Sequence, residues 1–203
     1  MPHDLDYFFR RLAERNANAD KAEALDTQLW QELGIEQAIL VGDLSGFTRL
    51  TKKRGILHFL ALHFRGVRIA EPIVARLSGT MVKSEADNII ACFPHPVEAA
   101  TAAIELQRVV YDYNLRVADH DSEIHYCMGI GFGRVLRLTD DVFGDEVNVA
   151  YKLGEDVARP GEILVSEPAH AAIVARSTDF AFSAPTQADS GNVSLGFHRL
   201  AVH

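Results

Sequence analysis

Gln37-Ala-Ile-Leu-Val-Gly-Asp43 is a continuous apolar run closed by an acid. That pattern predicts a buried strand followed by a turn, and the turn residues Ser45 and Gly46 come directly after it. Working outward, Leu57, Leu60, Phe64, Val67, Val74 and Leu77 recur at helical spacing and predict one long helix, bent at Pro72. Gly79 restarts extended chain. Thr80 to Lys83 and Ile89 to Phe93 then form two short strands around a polar turn, a β-hairpin with acids at its tip. Pro96 and Glu98 suit the first turn of a second helix that carries Ala99, Ala103, Leu106 and Val110 to about Asn114. A strand over Glu123 to Gly133, a short extension over Val135 to Leu138, a helix from Gly144 to Val157 and a strand over Glu162 to Ser166 follow. The order is βαββαβ with αβ additions. It predicts an α+β, ferredoxin-like sandwich with helices on one face of a largely antiparallel sheet.

The flanks read differently. Residues 4–33 show apolar positions at Leu5, Phe8, Phe9 and Leu12, then Leu25, Leu29, Trp30 and Leu33, which predicts two short amphipathic helices separated near Asn16, Asn18 and Asp20 and stopped at Gly34. The expected division is a helical arm over 1–34 and one domain over 35–203. From Pro185 to Gly191 the chain is polar and predicts a loop, after which Val193 to Leu200 suits an edge strand.

The 203 residues are 48% hydrophobic and 24% charged, with 14 Gly and 7 Pro, which excludes a disordered or fibrous chain. Twenty Lys and Arg against 28 Asp and Glu leave a net charge of −8, so no overall basic field exists for nucleic acid. Cys92 and Cys127 each sit in an apolar run and are expected as reduced core thiols. The N-terminus carries no signal-like apolar core and no run approaches the ~18 apolar residues of a membrane span, so the expected location is the cytoplasm, without a membrane partner. Lys52-Lys-Arg54 is expected as a solvated face.

Two acids at strand ends carry the first chemical signal. Asp43 ends the first strand, Asp87 lies at the hairpin tip, and a βαββ unit brings such ends together. Paired carboxylates suit two Mg²⁺ ions and phosphoryl or nucleotidyl transfer. The competing reading makes Asp43 a helix cap and Asp87 a turn residue.

Beyond single residues, four segments stand in register. Asp43-Leu-Ser-Gly-Phe-Thr48, Val82-Lys-Ser-Glu-Ala-Asp87, Gly133-Arg-Val135, and Asp141-Val-Phe-Gly-Asp-Glu-Val-Asn-Val-Ala-Tyr-Lys-Leu153 followed by Pro160-Gly-Glu-Ile-Leu-Val-Ser166 resemble the class III nucleotidyl cyclase catalytic domain over about residues 36–175. The resemblance implies that Asp43 and Asp87, with the Leu44 carbonyl, bind two Mg²⁺ or Mn²⁺ ions. It implies that Phe47 and Thr48 at a helix start receive phosphate and that Lys83 and Asp141 read the base. Arg134 would bind the triphosphate, Asn148 would orient the ribose, and Lys152 would face the transition state. A Lys plus Asp pair is typical of the adenylate members, so the implied reaction converts ATP to 3′,5′-cyclic AMP and pyrophosphate in a homodimer with shared sites. GTP, CTP or UTP as substrate, or a catalytically weakened nucleotide-sensing or partner domain, stay open as alternatives. The chain departs from the family in three places: Ala86 where Gly is usual, Lys152 where Arg is usual, and no Lys from Ser183 to His203.

Overall fold

The central strand forms because its apolar run is covered from both sides. In the computed structural model, which describes residues 3–191 and 193–202, Ala38 and Leu40 pack into one apolar layer while Ile39 and Val41 pack into another. Alternate residues of a strand face opposite ways, so a sheet with two covered faces needs the unbroken run seen at 38–42.

In chain order the elements are α1 (Leu5–Ala17), α2 (Ala22–Leu33), β1 (Gly34–Leu44), α3 (Phe47–Arg54), α4 (Ile56–Arg76), β2 (Thr80–Glu85), β3 (Asn88–Phe93), α5 (Pro96–Asn114), β4 (Tyr126–Arg137), β5 (Val142–Phe143), α6 (Asp145–Lys152), β6 (Ile163–Ser166), α7 (Glu167–Val174), β7 (Thr186–Ser190) and β8 (Val193–Leu200). The sheet runs β2-β3-β1-β4-β6-β8-β7, with β5 paired to β4. Among the described residues only β4 and β6 pair in parallel. This is the expected α+β architecture with βαββαβ order. Among the described residues no helix is long and apolar enough to cross a membrane.

Three helices, α4, α5 and α7, fill the first layer with Phe59, Leu62, Leu106, Val110 and Ile173 against Phe93, Tyr126 and Met128. The other face is not bare, in contrast to the expectation of helices on one face alone. There α6 lies across β1 and β4, packing Val147 and Ala150 on Ile39, Val41 and Val135. Its approach is close because β4 presents glycines. A Cβ on Gly129 would stand 2.0 Å from the Ala150 carbonyl oxygen, and one on Gly131 would stand 2.2 Å from that of Glu146. Glu146 then locks the start of α6, accepting from the Phe132 N–H at 3.1 Å and the Ser166 hydroxyl at 2.9 Å. After Lys152 the helix loosens into one π turn, Leu153–Val157, a feature often found at functional sites.

Several expectations shift. The single long helix is two, parted at Gly55, whose φ of +86° breaks the run. Leu57, Leu60 and Phe64, read as the core stripe, are 79%, 45% and 65% exposed; the buried face instead carries Phe59, Leu62, His63, Gly66, Ala70, Ile73 and Val74. Pro72 sits inside α4 without ending it. The strand expected from Glu123 begins at Tyr126 after a short 3₁₀ turn at His120–Ser122, and runs unbroken to Arg137. The polar loop at 185–191 is largely strand β7, whose only buried residue is Ser190; polar side chains had masked its period. Lys53 and Arg54 are not merely solvated, because with Arg49 they close on buried Asp121 at 2.7, 2.9 and 3.0 Å. Hydrogen bonds from these cations hold its carboxyl well below the usual range, and the cluster ties α3 to the loop before β4.

The arm forms two helices, as its spacing predicts. It docks on its own chain through Phe8, Leu29 and Leu33 against Leu138, and Phe8 stacks on Phe143 at 5.4 Å. Cys92 and Cys127 are both free and buried, and burial pushes each thiol up to about 11.

Candidate active site

Antiparallel pairing decides where the acids meet. β1 pairs β3 with Asp43 opposite Asn88, and the Leu44 N–H donates to the Asp87 carbonyl at 2.9 Å. The end of β1 and the hairpin tip are therefore stitched together, which puts the Asp43 and Asp87 carboxylates side by side. Burial, then the charges of Asp87 and Glu155, push the Asp43 carboxyl up to about 7. Among the described residues neither Asp43 nor Asp87 has an ion-pair partner. Two crowded carboxylates with no cation form an unbalanced site, which a divalent ion would balance. Among the described residues no cluster of three or more His, Cys, Asp or Glu side chains is placed to hold a metal. The protein's own donors are thus few, which suits Mg²⁺ or Mn²⁺ that keeps waters and takes phosphate oxygens.

Beside these acids α3 begins at Gly46, whose φ is +96°, and no side chain caps it. Asp43 therefore is not the helix cap, which removes the competing reading of that residue. The Ser45 N–H is used by the His125 carbonyl at 2.9 Å, while the first N–H groups of α3, at Phe47 and Thr48, lie at the exposed helix start. Such a start favours an anion. Phe47 packs edge-on against Phe59 at 4.8 Å, fixing the turn on the core.

Ala86 stands in the two-residue tip of the hairpin. That residue adopts φ +54°, the region usual for Gly. The two-residue turn thus holds Asp87 in place at the expense of local strain. His63 on buried α4 braces the hairpin from below, its Nε2 2.7 Å from the Ser84 hydroxyl, and burial lowers its pKa.

Farther up the hairpin lies a different pairing. The Lys83 ammonium meets the Asp141 carboxylate at 3.0 Å, with Glu85 at 3.4 Å. Burial works against the Lys83 charge, but the hydrogen bond and charge of Asp141 outweigh it and hold the pKa up. Asp141 reaches this place because β5 folds back on β4, pairing Leu136 with Phe143. Lys83, Asp141, Asn148, Tyr151, Ile90 and Phe143 are among the residues lining a cavity of about 290 Å³. That is the lower end of the ~300–1,000 Å³ usual for ligand clefts. It contains neither Asp43 nor Asp87.

Asn148 and Lys152 share a second, larger cavity of about 630 Å³ with Tyr151, Glu155 and Asp156. Another cavity of about 610 Å³, between α5 and the start of β4 at Gln107, Tyr111 and His125, is lined by none of the candidate site residues. Arg134 stands apart: its guanidinium lies over the Trp30 ring at 4.6 Å and donates to the Trp30 carbonyl at 3.4 Å, so it is engaged by the arm.

Three more residues stand near these groups: Tyr151 lies within a motif segment but has no role assigned from the sequence, and Glu155 and Ser190 lie outside all of the segments. Tyr151 lines both cavities. Glu155 accepts from the Asn88 amide at 2.7 Å, bringing a third carboxylate toward Asp43 and Asp87. Ser190 accepts from the Lys152 amine. Helical spacing offers Tyr151 and Glu155, one turn from Asn148 and Lys152 respectively; nothing local points to Ser190.

No protein-family model matches the sequence. A curated protein of Rhizobium meliloti (strain 1021), named "Putative adenylate cyclase 3", is 31% identical over 145 residues, which is 71% of this chain and 24% of that protein. The chain thus spans about a quarter of that relative's length. Among solved structures, an adenylate/guanylate cyclase/hydrolase from Silicibacter pomeroyi is 27% identical, with a TM-score of 0.65 over 82% of this chain and 96% of that one. The guanylyl cyclase Cya2 shares the fold with a TM-score of 0.71 at 17% identity, over 83% of this chain and 92% of that one.

Proposed function

Because the chain belongs to the class III nucleotidyl cyclase catalytic-domain family, we propose that it converts ATP to 3′,5′-cyclic AMP and pyrophosphate in a homodimer with shared sites. The observation that carries this reading is the uncompensated Asp43 and Asp87 pair beside the uncapped start of α3.

Asp43, Asp87 and the Leu44 carbonyl would hold the two divalent ions, which when bound neutralise the triphosphate and favour the 3′-alkoxide. The N–H groups of Phe47 and Thr48 receive phosphate oxygens. At the base cavity Lys83 donates to a ring nitrogen while Asp141 accepts from an exocyclic amine, each giving up part of its contact with the other. Asn148 orients the ribose, Lys152 faces the charge that grows at the α-phosphate, and Arg134, once off Trp30, takes the departing phosphates.

Two observations support the homodimer in this reading. The base cavity holds Lys83, Asp141 and Asn148 without the acids, so an isologous dimer supplies each site with acids from one subunit and base-reading groups from the other. Ile56, Leu57, Leu60 and Phe64 also leave an apolar face exposed on α4, beside the phosphate turn, as a surface covered by a partner would.

A second reading, a weakened nucleotide-sensing or partner domain, is favoured by Lys152 in place of Arg and by Arg134 held on Trp30. One experiment separates them. Purified protein is incubated with Mn²⁺ or Mg²⁺ and each of ATP, GTP, CTP and UTP, beside the Asp43→Ala/Asp87→Ala variant, and products are identified by mass. Cyclic AMP that disappears in the variant supports the enzyme, another cyclic nucleotide reassigns the base, and no product from any triphosphate supports the sensing domain.

A further inference from the structure

Lys152 and β7 are far apart in sequence, yet the Lys152 Nζ donates to the Ser190 Oγ at 2.9 Å and to the Ser190 carbonyl at 3.4 Å. Ser190 is the last residue of β7, 5% exposed, and pairs with Val193 across the turn to β8. Its hydroxyl hydrogen is already committed, because Ser190 Oγ donates to the Asp156 carboxylate. A hydroxyl has one hydrogen and two lone pairs, so this commitment turns a lone pair toward the lysine. The order of donation is fixed as Lys152 to Ser190 to Asp156.

We propose that Ser190, oriented by Asp156, is a positioning residue for the Lys152 ammonium in the cavity it shares with Asn148; this rests on the cyclase reading above. A lysine is a point charge on a flexible stem and lacks the rigid fork of arginine. Two acceptors on one buried residue restrict that stem. Both acceptors are neutral oxygens, and among the described residues no carboxylate pairs with Lys152 directly. The positive charge is therefore aimed without being neutralised. Of its three N–H donors two are used, leaving one for a phosphate oxygen. Ser190 thereby gives the end of β7, in a stretch without lysine from Ser183 to His203, a part in the site.

Removing the hydroxyl exposes Lys152 to a direct ion pair with Asp156, which quenches the charge the site uses. Ser190→Ala is expected to lower kcat about tenfold while KM for the nucleotide stays within about twofold, and Ser190→Thr is expected to restore most of kcat. In a Lys152→Met background Ser190→Ala should have no further effect, since the group it positions is gone. An equal loss in both backgrounds, or a change in KM alone, overturns the proposal. The ¹H–¹⁵N resonance of the Lys152 ammonium, assigned by its loss in Lys152→Met, gives a readout that needs no turnover. It should shift in both Ser190→Ala and Asp156→Asn, without nucleotide. An unmoved resonance overturns the positioning role; a shifted resonance in a protein that forms no cyclic product leaves the tether standing and sinks the cyclase reading alone.

Discussion

Asp43 and Asp87 stand together without a cation at the hairpin tip, whereas Lys83 and Asp141, farther along the same hairpin, neutralise each other at 3.0 Å. The first pair is a charge imbalance built into the fold and stabilised by whatever cation arrives. The second is balanced in the free chain, so a ligand enters by exchange and must replace what the two residues already give each other. An imbalance of that kind favours any divalent ion of suitable size, while an exchange favours only a ligand that matches both a donor and an acceptor. On the proposed reading, affinity for metal and choice of base fall to separate ends of one hairpin.

The largest expected effect breaks the unbalanced end. Asp43→Ala or Asp87→Ala should reduce product formation by roughly a thousandfold or more, the scale of several kcal/mol of charge stabilisation. The same variants should melt at or above the wild-type temperature when metal is absent, because repulsion is removed, and should lose the rise in melting temperature given by Mn²⁺. A variant that keeps the Mn²⁺ shift would place the metal elsewhere.

Next comes the balanced end. Asp141→Asn leaves Lys83 only Glu85, at 3.4 Å, as counter-charge and offers an amide where the base expects a carboxylate acceptor. A fall of about 10- to 100-fold in kcat/KM for ATP is expected, with a much smaller change for the triphosphate of a different base. Comparison of all four triphosphates in wild type and variant checks it; an equal loss for every base would make Asp141 structural.

The two ends also differed in how plainly the sequence announced them. The β1 run, the hairpin and the Pro96 start of α5 are local patterns, and each folds where its spacing places it. Asp43 and Asp87 are brought together by ordinary strand pairing, which topology alone anticipates. What was hidden depends on contacts distant in sequence or on misleading periodicity. Leu57, Leu60 and Phe64 have the spacing of a core stripe yet face outward, because helical spacing alone does not tell an exposed apolar face from a buried one. Strand β7 is polar along its length, so its pairing with β8 leaves no alternating signal. Ser190 meets Lys152 only because that pairing carries it there, and Trp30 holds Arg134 only because the arm folds back.

Protons probe the unbalanced end more gently. The Asp43 carboxyl lies at about 7 in the folded chain against an ordinary 3.8. A carboxyl raised on folding holds a proton that the unfolded chain has lost, so its contribution is present at low pH and disappears as pH rises through about 7. Without metal, stability should therefore decline from about pH 4 to pH 7 by this group, and Asp43→Asn should flatten the slope. Buried His63, lowered from 6.5, contributes the opposite slope below that pH, so the difference between wild type and Asp43→Asn is the quantity to measure. Apparent Mn²⁺ affinity should climb across the same range, because metal and proton compete for Asp43. Melting curves over pH with chelator or with Mn²⁺ test both slopes, and a wild type that parallels Asp43→Asn would show that the acid is not raised.

The smallest effect sharpens the same contrast through the backbone. Ala86 is exposed and packs against nothing that would reward its side chain, yet it holds φ at +54° beside Asp87. Left-handed backbone costs an alanine roughly 1–2 kcal/mol, while glycine there would cost about 0.4–1 kcal/mol through its freer unfolded chain. The first exceeds the second, so Ala86→Gly should stabilise the protein by up to about 1 kcal/mol, a rise of about 2–4 °C in melting temperature. Because this strain is conformational and the Asp43–Asp87 repulsion is electrostatic, the gain should be the same with chelator and with Mn²⁺. A gain seen only without metal would mean that glycine lets the carboxylates move apart. In that case Ala86 holds Asp87 against its neighbour, and activity should fall as stability rises.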